Sequence, residues 1–391
     1  MKIAFLTNFL THHQTPFCNA MYSKLGGDFH LIVTRPTASE QKKLGYNELN
    51  DIYPYVIKTY ESKDSEEKAF DICECADVVI YGSAPYKYIE KRLNQNKLTF
   101  IYTERIFKKG MIYALYPPMI KHMLKRFTSK RKKNQYYLCA SAYTAKDINL
   151  FTHTPDKFFK WGYFPETRNY DDVDKIIESK EPNSIIWVAR YIDWKHPEIA
   201  VEIGNRLKRD GYNFKINMIG NGPLLEEIKN KIAEKNLNDQ INVLGGIPSD
   251  EVRSHMEKSE IHIFTSDRNE GWGAVLNESM NSACAVVANK AIGSVPFLIE
   301  NNKNGLVYKD GNIDDLYIKV KWLLDNSTER KNLSRNAYST IVEEWNAQKA
   351  ADKFIYTAEN LLSNTNATNL FYDYGICSKA PKNASRRMIN G

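Results

Sequence analysis

Nothing in the 391 residues approaches the roughly 18 consecutive apolar residues of a membrane-spanning helix. The opening Met1-Lys-Ile-Ala-Phe-Leu-Thr-Asn8 carries too short an apolar part for a secretory signal. The chain is therefore expected to stay in the cytoplasm, at most peripheral on the inner face of the cell membrane. Cysteine is sparse and scattered: Cys18, Cys73, Cys75, Cys139, Cys284 and Cys377 form no Cys-x-x-Cys pair and lack partner histidines at zinc spacing. That excludes a zinc module and points to reduced thiols. Without secretion, the Asn-x-Ser/Thr matches at Asn277, Asn326, Asn332, Asn366 and Asn383 carry no meaning. No short internal repeat is present. Outside one segment there is also little net charge. Lys121 to Lys133 holds seven Lys or Arg and no acid, which equals the whole excess of +7. Such a distribution argues against a general nucleic-acid binder.

What is present is a long alternation of apolar runs and amphipathic stretches. Ile3 to Leu6, Phe29 to Val33, Tyr55 to Lys58, Val78 to Tyr81, Thr99 to Tyr102 and Tyr136 to Ala140 read as strands. A second series follows at Ser184 to Ala189, Lys215 to Ile219, Ile241 to Leu244, Ile261 to Phe264, Ala285 to Ala288 and Gly305 to Tyr308. Continuous apolar strands at crossover spacing predict parallel sheets covered on both faces, hence an α/β protein of two doubly wound domains. The polar, Pro-containing text from Pro165 to Ser184 is the candidate linker. Domains are expected at 1–164 and 165–344, followed by a helix and tail over 345–391.

In open parallel sheets ligands sit beyond the carboxyl ends of the strands. The first loop lacks Gly-x-Gly-x-x-Gly and reads Thr-Asn-Phe-Leu-Thr-His12-His13, which disfavours a dinucleotide. In the second half, Arg190 and Lys195 precede a helix expected near Pro197, a combination suited to a diphosphate. Gly220-Asn221-Gly-Pro and Gly245-Gly-Ile247-Pro offer close backbone approach. Glu270-Gly271-Trp272-Gly273-Ala274-Val275 then leads into a helix that carries Glu278. On that helix Ala274, Glu278 and Asn281 share a face expected to look at something polar, with Glu278 about a turn and a half in.

These loops resemble those of the GT-B glycosyltransferases, specifically the glycosyltransferase family 4 (glycosyl transferases group 1) type. The resemblance covers roughly Ser184 to Glu344 and rests on the Glu-x7-Glu pattern of Glu270 and Glu278. It implies two Rossmann-like domains facing across a cleft, with a C-terminal helix crossing back to the first domain. By the same resemblance Glu270 contacts the hydroxyls of the donor sugar, and the amides of Gly271 to Val275 hold sugar and diphosphate. Glu278 takes the ribose, Arg190 and Lys195 take the diphosphate, and the Ile247 backbone reads the base. The implied activity is retaining, metal-independent transfer from a UDP- or GDP-linked sugar, with no cofactor besides that substrate. The Asp172-Val-Asp174 run lies in the candidate linker, away from any strand end. The acceptor would be a glycan or a polyprenyl-diphosphate-linked glycan, in capsule, exopolysaccharide or lipopolysaccharide assembly.

Three departures concern the acceptor side and one turn. His12 and His13 replace a Gly-Gly pair, Glu104 stands where a histidine is common, and Ser282-Ala-Cys-Ala replaces a small-Gly-x-Pro run. His12, His13 and Glu104 are candidate catalytic residues beside Glu270, Arg190 and Lys195. The alternatives are a cap or solvent-facing role for the histidines and an ion pair of Glu104 with Arg105 or Lys108. Pro117-Pro118 can open a helix with Met119, Ile120, Met123, Leu124 and Phe127 in one stripe. That stripe either packs inward or rests on an anionic membrane through Met119 to Lys133. Two other functions stay open: an epimerase or phosphorylase of the same fold, and a non-catalytic sugar-nucleotide or membrane-surface binder.

Overall fold

The computed structural model describes residues 1–37, 48–363 and 372–381. Parts of the predicted tail, Asn366, Phe371 and Asn383 among them, lie outside the described residues. The described residues divide into two compact units, Met1–Glu166 with those from Asn346 onward, and Thr167–Trp345.

The first unit is built on strands β1 (Ile3–Thr7), β2 (Phe29–Val33), β3 (Val56–Lys58), β4 (Val78–Tyr81), β5 (Thr99–Thr103), β6 (Gln135–Cys139) and β7 (Phe158–Lys160). They form a parallel sheet in the order β3-β2-β1-β4-β5-β6-β7. Its helices are α1 (Thr15–Leu25), α2 (Lys63–Cys75), α3 (Lys87–Asn94), α4 (Pro117–Arg126) and α5 (Thr144–Thr152). All five residues of β1 are buried, so its apolar run is covered on both faces. The sheet order reverses at β1 and β4, which pair directly from Ile3↔Val78 to Leu6↔Tyr81. Loops leaving these neighbours diverge and open a crevice. Sequence patterning did not mark β7, which is only three residues long.

The second unit carries β8 (Glu181–Val188), β9 (Lys215–Ile219), β10 (Ile241–Gly245), β11 (Ser259–Phe264), β12 (Ala285–Asn289) and β13 (Leu306–Tyr308), also parallel. Their order is β10-β9-β8-β11-β12-β13, so the switch point lies between β8 and β11. Its helices are α6 (Val173–Glu178), α7 (Pro197–Arg209), α8 (Leu225–Glu234), α9 (Ser249–Lys258), α10 (Val275–Asn281), α11 (Val295–Leu298), α12 (Ile313–Asp325) and α13 (Ser327–Glu343). Ile185, Trp187, Ile216, Met218, Ile263 and Val287 from its strands meet Ile203, Leu207 and Leu316 from its helices in one apolar core.

The polar stretch read as a linker is ordered and packed. Arg168 N donates to Asn281 Oδ1 at 2.8 Å and Tyr170 N to Tyr338 Oη at 2.8 Å. Asp172 caps α6 by accepting from Asp174 N and Lys175 N, and Asp174 pairs with Arg335. The final helix α14 (Ala347–Leu362) belongs to the first unit, where it packs on α1 and sets Phe354 against Phe100 and Trp161. Trp345 stays with the second unit, against Trp272 and Phe297, so the chain changes unit one residue after the predicted boundary.

Candidate functional site

At the β8/β11 switch point of the second unit, two loops meet. The loop after β8 presents an exposed Arg190 and then Lys195, whose guanidinium and ammonium lie 5.8 and 4.4 Å from the Trp194 ring centre. The loop after β11 folds back so that Glu270 N donates to Asp267 O, and it aims the Glu270 carboxylate at Lys195 Nζ, with which it pairs. Both side chains are about nine-tenths buried, at 11% and 10% exposure. A paired charge in such a setting is held in one geometry and strengthened by the low dielectric. Thr265 Oγ1 donates to Lys195 O at 2.6 Å and accepts from Trp187 Nε1 at 2.8 Å, locking the two loops to the sheet.

Glycines make these close approaches feasible. Gly273 has φ of +84°, and a Cβ there would lie 2.5 Å from the Phe264 ring. Gly220 has φ of +139°, and its Cβ would lie 1.8 Å from Ala189 O. The β9 loop is thereby fastened to the β8 loop, with Tyr191 N donating to Asn221 O at 3.0 Å. Gly220 is thus fully explained by contact with its own chain. Asn221 is exposed and Ile247, after β10, is partly exposed. Trp272 is fully buried, and its Nε1 donates to Asn277 Oδ1 at 2.9 Å.

Glu278 sits one turn into α10, earlier than the expected turn and a half, because the helix begins at Val275. Burial pushes its carboxyl up to about 7, opposed by the nearby Arg253 and Arg168 charges. The face it shares with Ala274 and Asn281 does not look outward throughout. Asn281 is buried and its Oδ1 accepts from Arg168 N and from Arg253 Nη2. The Ser282-Ala-Cys-Ala turn keeps a left-handed residue without glycine, at Ala283 with φ of +53°. His196, missed in the sequence, joins the loop after β8 to that after β11 through Glu198 and Asp267, and both neighbours raise its pKa.

The first unit has its own cavity, about 930 Å³, beyond the carboxyl ends of β1, β4 and β5. His13 and Glu104 line it, whereas His12 is an exposed neighbour whose ring lies 3.8 Å from that of His13. Neither histidine caps α1; Thr11 O accepts from Gln14 N and Thr15 N instead. Burial, and then the His12 charge, push the His13 imidazole down to about 3. Glu104 accepts from Tyr163 Oη at 2.6 Å and pairs with Lys108, one of the two ion-pair partners expected for it. Its loop is held by Asp147, buried on α5, whose Oδ2 accepts from Ile106 N and Phe107 N at 2.9 and 3.1 Å. Only part of the α4 stripe packs: Met123 and Phe127 are buried, while Leu124 is exposed with Ile112, Leu115 and Tyr116.

Residues 170–340 match the family model described as glycosyl transferases group 1. An uncharacterised glycosyltransferase of Methanocaldococcus jannaschii is 32% identical over 169 residues, 43% of this chain and 46% of the relative. The amylovoran biosynthesis glycosyltransferase AmsK of Erwinia amylovora is 28% identical over 46% of this chain and 43% of its own length. The chain thus spans less than half the length of these two curated relatives. The capsular polysaccharide biosynthesis glycosyltransferase CapH of Staphylococcus aureus is 25% identical over 66% of this chain and 74% of its own. Among solved structures, HepE of Anabaena in complex with UDP aligns with a TM-score of 0.67 at 14% identity, over 92% of this chain and all of the other. Two parallel α/β units with such neighbours define the GT-B class of fold. Within that class it is the second unit that carries the match to the glycosyl transferases group 1 family model. No helix among the described residues is long and apolar enough to cross a membrane.

Proposed function

We propose that the chain is a retaining glycosyltransferase of bacterial surface-polysaccharide assembly, which moves a sugar from a UDP- or GDP-linked donor held by the second unit. The observation that carries this reading is the Lys195–Glu270 pair closing the β8/β11 crevice, with Glu278 in the helix behind it. A diphosphate oxygen can take the place of Glu270 on Lys195, with Arg190 as a second cation. The freed carboxylate then accepts from donor-sugar hydroxyls. During transfer the bond from the anomeric carbon to phosphate breaks on the face where the acceptor oxygen bonds. The acceptor proton passes to the departing diphosphate, whose charge the cations and the Gly271–Val275 amides stabilise. No metal is required in this scheme; Asp172 and Asp174 already serve as a helix cap and an ion pair.

The acceptor, a glycan or polyprenyl-diphosphate-linked glycan, is assigned to the cavity of the first unit. Exposed Ile112, Leu115 and Leu124, in the same stretch of sequence as Lys130 to Lys133, support peripheral docking on an anionic membrane. Flotation with anionic vesicles should depend on those lysines. The activity itself is tested by acceptor-dependent release of nucleoside diphosphate from a panel of UDP and GDP sugars. Glu270→Gln should slow release at least about 100-fold, in the range lost when one polar transition-state contact is removed. Donor consumption without any acceptor, or full turnover by the variant, would sink the proposal.

A further inference from the structure

His196 follows Lys195 directly in the chain, where a short 3-10 turn, Asp193–Lys195, gives way to α7 through a left-handed residue with φ of +53°. Its ring lies between two carboxylates. Nδ1 is 2.9 Å from Glu198 Oε1 on α7, and Nε2 is 3.5 Å from Asp267 Oδ2 in the loop after β11. A neutral imidazole has one N–H and one lone pair, so it donates to one of these carboxylates and turns a lone pair on the other. The imidazolium donates to both. Asp267 is the residue on which the Glu270 turn is built. Its N donates to Trp194 O at 3.0 Å, its O accepts from Glu270 N at 3.1 Å, and its Oδ1 accepts from Asn269 N at 2.7 Å. Asn269 Nδ2 reaches both carboxylate oxygens, at 3.0 and 3.2 Å. The other charged groups around the ring are engaged elsewhere. The ring borders a cavity of about 300 Å³ whose wall includes Glu202 and Asp310 but no lysine or arginine. Glu202 pairs with Arg206 and Lys235, and Asp310 accepts from Asn289 Nδ2. Lys231 on α8 acts on Glu198 from a distance but pairs with Glu227. In the turn itself Asp193 is exposed and Lys195 is taken by Glu270.

We propose that His196 is a positioning residue of the donor site: as an imidazolium it ties Asp267 to Glu198 and so keeps Glu270 aimed at Lys195, and donor binding depends on that protonated form. This rests on the reading of the β8/β11 crevice as the donor site and adds a pH control to it. His196 touches no donor atom in this scheme and acts through Asp267. The hydrogen bond to Glu198 lifts its pKa above 6.5 and Asp267 adds to the rise, against the opposing cost of burial. The tie is therefore fully made below 6.5 and is lost as pH rises through the raised folded-state value, when the ring gives up its proton and one carboxylate loses its donor.

Amide hydrogen exchange of the full chain without ligand reads the tie directly. The amides of Asp267, Asn269 and Glu270 should lose protection, after correction for the intrinsic effect of pH, by at least about tenfold between about pH 6 and about pH 8.5, the scale of one charge-assisted hydrogen bond. His196→Asn, whose new side chain tolerates the left-handed backbone but carries no charge, should show the lower protection at both pH values. The fall should persist in Glu278→Gln, which removes the other carboxyl that titrates near 7. Should His196→Asn fail to fold, Asp267→Asn takes its place and should make the protection independent of pH. Protection that is level across pH in the native chain, or a fall that survives in these two variants, overturns the proposal. Titration calorimetry with UDP and GDP sugars then carries the tie to function. A donor should bind the native chain at least about tenfold tighter at the lower pH and equally at both pH values in His196→Asn. Equal affinity at both pH values in the native chain overturns the positioning role. Absence of donor binding at either pH, with the fall in protection intact, leaves the tie standing and fails the donor reading instead.

Discussion

A methyl group at residue 220 would collide with the Ala189 carbonyl in a backbone conformation L residues rarely adopt. Gly220→Ala is therefore expected to destabilise the second unit by about 3 kcal/mol, overpacking and backbone strain together. Gly26 has φ of +54° but open space around it, so Gly26→Ala should cost only about 1 kcal/mol. Denaturant melts of the two variants check the difference. Glu278 gives a pH signature. Its folded carboxyl is raised from 4.5 to about 7, so the folded state holds the proton more tightly than the unfolded one. The resulting stability is full below about pH 4.5 and is lost as pH rises through 7. Melting temperature should fall over that window in the native protein, and Glu278→Gln should flatten the fall. Both glutamates stand out in the sequence because Gly271 and Gly273 follow Glu270 and Glu278 lies only eight residues on. The partner of Glu270 does not, since Lys195 lies 75 residues away and only the crossover topology brings it back.

Strands were readable where apolar runs are continuous and buried on both faces, as in β1 and β12. The segment Phe158–Lys160 was not read as a strand, and the sheet recruits it by pairing with β6. The polar segment before β8 looked like a linker because hydrogen-bonded polar packing has no hydrophobic period. The stripe on α4 is wider than the surface available to it, so the helix buries Met123 and Phe127 and leaves Leu124 out. Loop supports were invisible for the same reason as long-range pairs. Asp147 holds two amides 40 and 41 residues earlier in the chain. Asp147→Ala should leave those amides unpaired, at a cost of about 1–3 kcal/mol. It should also slow turnover without changing nucleotide affinity. Unchanged turnover would show that the loop carrying Glu104 and Arg105 holds its shape alone.

Each unit has its own sheet and core, but among the described residues only the second is continuous in sequence, from Thr167 to Trp345. A fragment of those residues is expected to unfold cooperatively and to retain nucleotide binding; a fragment that is unfolded or inert contradicts the assignment of the donor site to one unit. The first unit requires α14, whose Phe354 completes its aromatic core. Charge was legible only in bulk. The run from Lys121 to Lys133 accounts for the net excess, yet two of the arginines in the cavity, Arg35 and Arg105, come from parts of the chain that looked neutral. Whether the β8/β11 crevice holds a nucleoside diphosphate sugar is measured by titration calorimetry of the full chain with UDP and GDP sugars. One donor should bind the native protein and lose at least tenfold in affinity with Lys195→Ala. Failure of every donor to bind, or equal affinity in the variant, would contradict the account.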